Sequence, residues 1–314
     1  MKKNVLVVLY SQSGQLADIV AVLTRPLQEA GIALHHEILR PEPDFPFPWP
    51  FFAFFDVFPE SVRLDPRPNR PLALEPGATF DLVILAWPVW FLSPAQPITA
   101  FLQSADGRRL LAGRPVVSVV ACRNMWLTAF DTLKTLVAEA GGRLVDHVAL
   151  TDPTPALGSF VTTPRWMFTG RRDRFLGLPP AGVDARQVAG AARFGAALVA
   201  ALARDEETRG HAMLGGLRAV KVAPHLIFSE RAGRRAFRFW SGVVRLCGRA
   251  GQGRRLPALV LFVFYLVTMI VTVVPLNLAV QRLAAPLFAR RFAALARRYE
   301  QPSGAGDARM AAHE

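Results

Sequence analysis

LYSQSGQL, residues 9–16, closes one apolar run and opens another. The run before it, NVLVVLY, is short, continuous and rich in β-branched residues, as expected of a strand buried on both faces of a parallel sheet. In the run after it, Leu16, Ile19, Val20, Val22 and Leu23 recur at helical spacing, and Gly31 ends the helix. The stretch is therefore a turn at the carboxyl end of a parallel strand, where open α/β sheets bind their ligands. Successive backbone N–H groups at a helix N-terminus make an anion site. Ser11 and Ser13 add hydroxyls, and Gly14 lets the backbone approach closely. The loop holds no lysine, unlike the loop that binds nucleoside triphosphates, so a monophosphate is the expected anion. An ordinary serine-rich turn with an N-cap is the alternative.

Working outward, four more strands are expected: IALHHEIL, FDLVILAW, RPVVSVVAC and RLVDHVALT. Helices fall between and after them, in AQPITAFLQS, AFDTLKTLVAEAGG and the long alanine-rich stretch DARQVAGAARFGAALVAALAR. The alternation predicts an α/β fold, a doubly wound five-stranded parallel sheet over residues 1–205. Two segments exceed its needs. Residues 41–78 are rich in proline and phenylalanine, with seven phenylalanines and one tryptophan in 45–58. Residues 152–183 carry GSFVTTPRWMFTGRRDRFLGLP, where Arg171, Arg172 and Arg174 face lipid headgroups or water. Each insertion is either a lid packed on the sheet or a greasy wall for a lipid-like substrate, and both can hold.

The 314 residues can bury a sizeable core, and two cysteines far apart, Cys122 and Cys247, fit a reducing compartment rather than a disulfide framework. The N-terminus lacks the apolar length and cleavage site of a secretory signal. A net charge of +13 implies an anionic partner. Residues 228–255 hold eight arginines and one glutamate among aromatic and branched residues, so 206–255 is expected to be a basic amphipathic region on a membrane surface. Residues 256–280 carry no charge over 25 positions, long enough to cross a bilayer of about 30 Å. Basic residues resume at Arg282, and Pro275 and Pro286 permit a re-entrant path, so a transmembrane span and a re-entrant anchor both stand. Residues 281–314 are expected to form a basic helix and a disordered tail. Because the arginines adjoin an apolar run, membrane lipid rather than nucleic acid is the expected partner. The positive-inside rule places the protein on the cytoplasmic face of the inner membrane.

No His/Cys/Asp cluster has metal-ligand spacing, and no serine-hydrolase elbow is present. His35, His36 and His147 sit within strands and read as packed or solvated residues. Cys122, at a strand end, reads as a small packing residue.

The second strand-end loop narrows the reading. Residues 86–102, AWPVWFLSPAQPITAFL, pair an aromatic with rigid prolines. Together with Ser11-Gln12-Ser13-Gly14-Gln15-Leu16, this loop resembles the flavodoxin-like superfamily over about residues 1–205. Pro88, Val89 and Trp90 match its second loop, as do Pro94-Ala95, Pro97 and Phe101-Leu102. The third family loop corresponds to ACRNMW, residues 121–126. The resemblance implies FMN as cofactor, held by Ser11, Gln12, Ser13, Gly14, Gln15 and Leu16 at the phosphate. At the ring it implies Pro88, Val89, Trp90, Phe91, Cys122, Arg123 and Asn124, with Trp90 stacked on the flavin. Arg123 and Asn124 are the catalytic candidates: their backbone would bond the pyrimidine edge, and the Arg123 charge would favour a reduced anionic flavin. Trp87 stands where the family has a small hydroxyl residue and Ala86 where it has glycine, so the ring environment differs.

The insertions resemble a narrower group, the dialkylresorcinol-condensing enzymes of bacterial pigment clusters. The carrying features are Phe-Pro-Phe-Pro-Trp followed by Phe-Pro-Glu, and Thr-Thr-Pro-Arg-Trp-Met. That resemblance implies an aromatase oxidising a dialkyl cyclohexanedione to the resorcinol, a hydrophobic substrate delivered by a ketosynthase and an acyl carrier protein. Two alternatives are a membrane-bound NAD(P)H:quinone reductase and a non-catalytic membrane-tethered scaffold.

Overall fold

The computed structural model describes residues 3–75, 77–224, 226–276 and 293–312. All five expected strands form. They are β1 (Asn4–Leu9), β2 (Ala33–Ile38), β3 (Leu82–Trp87), β6 (Pro115–Cys122) and β7 (Arg143–Thr151), in the all-parallel order β2-β1-β3-β6-β7. A two-residue hairpin, β4 (Val89–Trp90) with β5 (Ser93–Pro94), follows β3. Counting the five sheet strands in chain order gives 2-1-3-4-5, the flavodoxin-like arrangement, whose switch point lies between β1 and β3. Val5–Val8 and Leu82–Trp87 are fully buried because helices cover both faces of the sheet.

Helix α1 (Gln15–Glu29) packs with α8 (Ala185–Ala189) and α9 (Ala192–Leu202). Helices α4 (Gln96–Gln103), α5 (Ala105–Leu111) and α6 (Leu127–Glu139) form a second layer. The alanine-rich stretch expected as one helix is thus two. They part at Gly190 and Ala191, where the Arg193 guanidinium donates to the Gly190 carbonyl at 2.5 Å and to the Leu217 carbonyl at 3.0 Å.

Each insertion folds. The first contains α2 (Phe51–Asp56) and α3 (Phe58–Arg63), the second α7 (Ala156–Thr169). Phe51 and Phe54 meet Phe168, Phe47 meets Trp166, and the Trp49 amide donates to the Met167 carbonyl at 2.8 Å.

Beyond the sheet domain, α10 (Leu226–Leu246) and α11 (Leu256–Thr268) follow. The latter continues through a π-helical turn, Met269–Val273, to residue 276. They do not stand apart from the first insertion. Phe58 and Phe262 stack at 4.1 Å with an 8° tilt, inside an apolar cluster that includes Phe55, Val244 and Leu259. Arg255, fully buried, lies 3.4 Å from Asp56 and 3.1 Å from Glu60. The phenylalanine-rich segment is therefore the seat of the apolar helix. Residues 277–280 of the uncharged run, and 281–292 of the expected basic helix, lie outside the described residues.

The disordered tail expected over residues 301–314 is instead ordered over 301–312, following on from part of the expected basic helix. Residues 293–300 are helical. The Tyr299 hydroxyl donates to Asp131, and buried Ser303 donates to Asp146 at 2.7 Å while accepting the His147 amide. The tail also pairs with residues 218–220: the Arg218 and Val220 amides donate to the Gly306 and Gly304 carbonyls.

Helices α1 and α9 touch through Gly195, where a Cβ would drive into the Leu23 carbonyl oxygen. Gly195→Ala should therefore destabilise the protein by about 1–3 kcal/mol through overpacking. Thermal denaturation of the variant checks this, and an unchanged midpoint would show that the two helices can part freely.

Candidate functional site

The register brings three loops to one edge. Leu9 pairs with Ala86, and Trp87 with Val120, so the chain leaves β1, β3 and β6 side by side at their carboxyl ends. The β1–α1 turn leads directly from the end of β1 at Leu9 into α1 at Gln15. Gly14 is the N-cap of α1 with φ +85°, and it offers no side chain to cap the first helical amides. The Ser11 hydroxyl accepts the Ala17 amide at 3.3 Å. A Cβ added at Gly14 would meet nothing within 4 Å, so the turn is open there. Ser11, Gln12 and Ser13 are half-buried and Gly14 exposed, whereas Gln15 and Leu16 are buried.

Both glutamines are structural ties. The Gln12 amide donates to the Pro46 carbonyl at 2.8 Å and its Oε1 accepts the Tyr10 hydroxyl at 2.7 Å. Gln15 exchanges two hydrogen bonds with the backbone of Val183. Each insertion is thus hooked to the loop. The second also brings a cation close: Arg172, whose guanidinium lies 5.3 Å over Trp166, donates to the Val183 carbonyl at 2.8 Å.

The structure places Trp90 differently from a free stacking platform. It is buried, with Tyr10, Phe45 and Trp49 packed edge to face at 5.7, 4.9 and 5.6 Å. Trp49 Nε1 in this cluster is buried without a hydrogen-bond partner among the described residues. Pro88, Val89 and Phe91 remain half-buried beside it, and Phe91 and Leu92 hold positive φ of 48° and 59°. Trp87 does not face the loops' ligand space. Its indole donates to Ser118 Oγ at 2.7 Å, which lies 3.2 Å from Nδ1 of His147. His147 stacks on Phe130 at 3.8 Å, and burial pushes its pKa down to about 3, so it is a neutral core residue. His35 and His36 are exposed on edge strand β2.

In the third loop, the Arg123 guanidinium lies 3.8 Å over the Phe160 ring of α7, and burial lowers its pKa to about 10, still charged at neutrality. Asn124 is half-buried beside it. Burial raises the Cys122 thiol well above its ordinary value, with Glu230 and Asp152 adding to the rise, so it is a neutral thiol. Asp152 organises this corner, accepting the Thr154 and Gly182 amides at 2.8 Å each.

One residue entered no sequence-based site. Glu230 of α10 is fully buried, and its Oε1 accepts the Thr128 amide at 2.6 Å, with the Thr128 hydroxyl at 3.0 Å. It caps the N-terminus of α6, immediately after the third loop, a cap that Trp126 cannot supply. Arg234 donates to the Thr128 carbonyl at 2.5 Å, completing a clamp. The available signal was that Glu230 is the lone acid among the arginines of 228–255.

Burial raises the Glu230 carboxyl to about 7 from 4.5; the Thr128 donors oppose the rise and Asp131 adds to it. The folded protein therefore binds this proton more tightly than the unfolded chain. The resulting stability is fully present below pH 4.5 and is lost as pH rises through about 7, on the order of 3 kcal/mol. Glu230→Gln, isosteric with the protonated acid, keeps an acceptor for Thr128 and should abolish that loss. Thermal midpoints in detergent, compared between about pH 5 and about pH 8, should fall less in the variant than in the parent protein; parallel profiles would contradict the assignment.

No protein-family model matches the chain, and no curated protein matches it. Among solved structures, a flavoprotein in complex with FMN from Lactobacillus acidophilus is similar at 16% identity, covering 48% of this chain and 93% of that one, with a TM-score of 0.38. Flavodoxin 1 from Bacillus cereus is similar at 13% identity, covering 62% and 95%, with a TM-score of 0.35. An archaeal flavodoxin is similar at 8% identity, covering 64% and 99%, also with a TM-score of 0.35. The strand order 2-1-3-4-5 by itself gives the α/β region its flavodoxin-like fold.

Proposed function

We propose that the chain is an FMN-dependent oxidoreductase acting on a hydrophobic substrate at the cytoplasmic face of a membrane. The observation that carries the reading is the open, left-handed Gly14 cradle at the switch point of a flavodoxin-like sheet. FMN, when bound, would supply two-electron chemistry. The chain's own residues would do the rest. Amides of the Ser11–Gly14 turn and the start of α1 would hold the phosphate, with Arg172 adding positive charge from behind. Pro88, Val89, Phe91, Arg123 and Asn124 would border the ring. The paired insertions would exclude water above it with Phe47, Trp49, Phe54 and Trp166.

The membrane part of the reading rests on exposed apolar surface. Phe239, Leu246, Val260, Leu261, Phe264, Val271 and Leu276 are all exposed, and the helix spanning Gly253–Leu276 is only 11% buried over its apolar window. Exposed Arg235, Arg238, Arg245, Arg249 and Arg254 flank this surface and complement anionic headgroups. Within the class, the resemblance of the insertions to dialkylresorcinol-condensing enzymes favours aromatising oxidation of a dialkyl cyclohexanedione, with a ketosynthase and an acyl carrier protein as pathway partners.

Purified protein should show a flavin absorbance spectrum. Gly14→Asp, which sets a carboxylate against the phosphate and strains a positive-φ position, should lose it. Full flavin content in that variant would rule out the cradle. Turnover of a dialkyl cyclohexanedione would support the aromatase, whereas bleaching of the spectrum by NADPH and re-oxidation by quinone would make the protein a quinone reductase instead.

A further inference from the structure

The apolar run is long enough to cross a bilayer, yet the chain on either side of it is fastened to one body. On the entering side, buried Arg255 sits against Asp56 and Glu60 of the first insertion. On the leaving side, Tyr299 is bonded to Asp131 of α6, and Ser303 to Asp146 and His147 of β7. Further on, the Arg309 amide and guanidinium bond the Gly216 and Met213 carbonyls. Asp146 and Ser303 are both buried. These are contacts of a folded domain, and a domain cannot lie on both sides of a membrane.

The length of free helix agrees. Phe262 and Leu259 are buried against the first insertion and α10, Trp240 meets Tyr265 at 5.2 Å, and Leu266 is the last helix residue in that cluster. Val267–Leu276 extends beyond it, about 15 Å at the helical rise. The uncharged run ends at Val280, so even a helix to that point adds only about 21 Å, short of the roughly 30 Å of hydrocarbon. Charge points the same way: exposed Arg245, Arg249 and Arg254 precede the run and exposed Arg297 and Arg298 follow it, so both flanks prefer the same side.

We infer that the protein is monotopic: α11 dips its free end into one leaflet, the segments fastened before and after the run lie on one face of the membrane, and α10 lies along the headgroups. On α10, Phe228, Phe239 and Leu246 are exposed at helical spacing. Exposed Phe51 and Phe52 of α2, the helix against which α11 packs, widen the same apolar surface. The lipid surface thereby adjoins the ring-lined insertions, and a lipid-soluble substrate has a path to them that avoids water. This inference rests on the membrane part of the proposed function and is independent of the flavin.

The test uses the full-length protein in bacterial membranes, with Cys122→Ala and Cys247→Ala as background. Single cysteines are placed at Arg174→Cys in the sheet domain and, separately, at Ala305→Cys and Ala308→Cys in the tail, all exposed positions. With a membrane-impermeant maleimide, all three should stay unlabelled in intact spheroplasts and label fully in inside-out vesicles. Tail cysteines that label from the side opposite to Arg174→Cys would overturn the inference in favour of a full span. Carbonate washing separates the remaining failure: complete release of the protein would remove the membrane reading itself, while retention with one-sided labelling supports the monotopic anchor.

Discussion

The flat stack of Phe262 on Phe58 joins two parts of the chain that composition alone would set apart. One ring belongs to an insertion of the sheet domain, the other to a helix apolar enough to enter lipid. Around the pair, Phe55, Phe91, Phe237 and Trp240 make further ring contacts, each within the range where aromatic pairs attract. The burial of Arg255 beside this cluster follows from it. A guanidinium taken out of water is tolerable only against carboxylates, and Asp56 and Glu60 meet it there. The interaction fixes where α11 leaves the domain, and so which surface would face lipid in the proposed reading.

The same attachment reaches the strand-end loops. Helix α10 is held between α3 and α6, and from it Glu230 and Arg234 grip Thr128 at the start of α6, directly after the third loop. The first loop is held in turn by the insertions through Gln12 and Gln15. Neither the first loop nor the third is thus free to set its own position. In the proposed reading, the flavodoxin-like sheet would supply the cradle, and the added segments would supply its roof, its rear cation and its anchorage.

The strands and the turn after β1 were legible because their signals are local. Short apolar runs such as Val5–Val8 and Leu82–Trp87 suit strands buried on both faces, and a serine and a glycine ahead of a helical repeat mark a turn. What failed to show was long-range. Thr128 and Glu230 are 102 positions apart, His147 and Ser303 are 156 apart, and no periodicity links them. The phenylalanines of 45–58 were visible as aromatic density, but their division was not. Phe45, with Trp49, packs on Trp90 toward the cradle, Phe55 and Phe58 pack on α11, and Phe51 and Phe52 face outward. Trp90 matched a stacking motif in sequence, yet three rings surround it, because the insertion that carries two of them has no counterpart in a plain strand-to-loop pattern. The glycine-rich tail read as disordered for a similar reason: its order comes from Asp146 and β7, far away in the chain.

The central claim is that a flavin phosphate sits on the turn at Ser11–Gly14 with the ring reaching the third loop. Hydrogen–deuterium exchange of the detergent-solubilised apoprotein, with and without added FMN, measures this amide by amide. The account predicts that FMN slows exchange in residues 11–17 and 122–127 and leaves α11 unchanged. FMN that binds without protecting the 11–17 amides, or that protects another part of the chain instead, would contradict it.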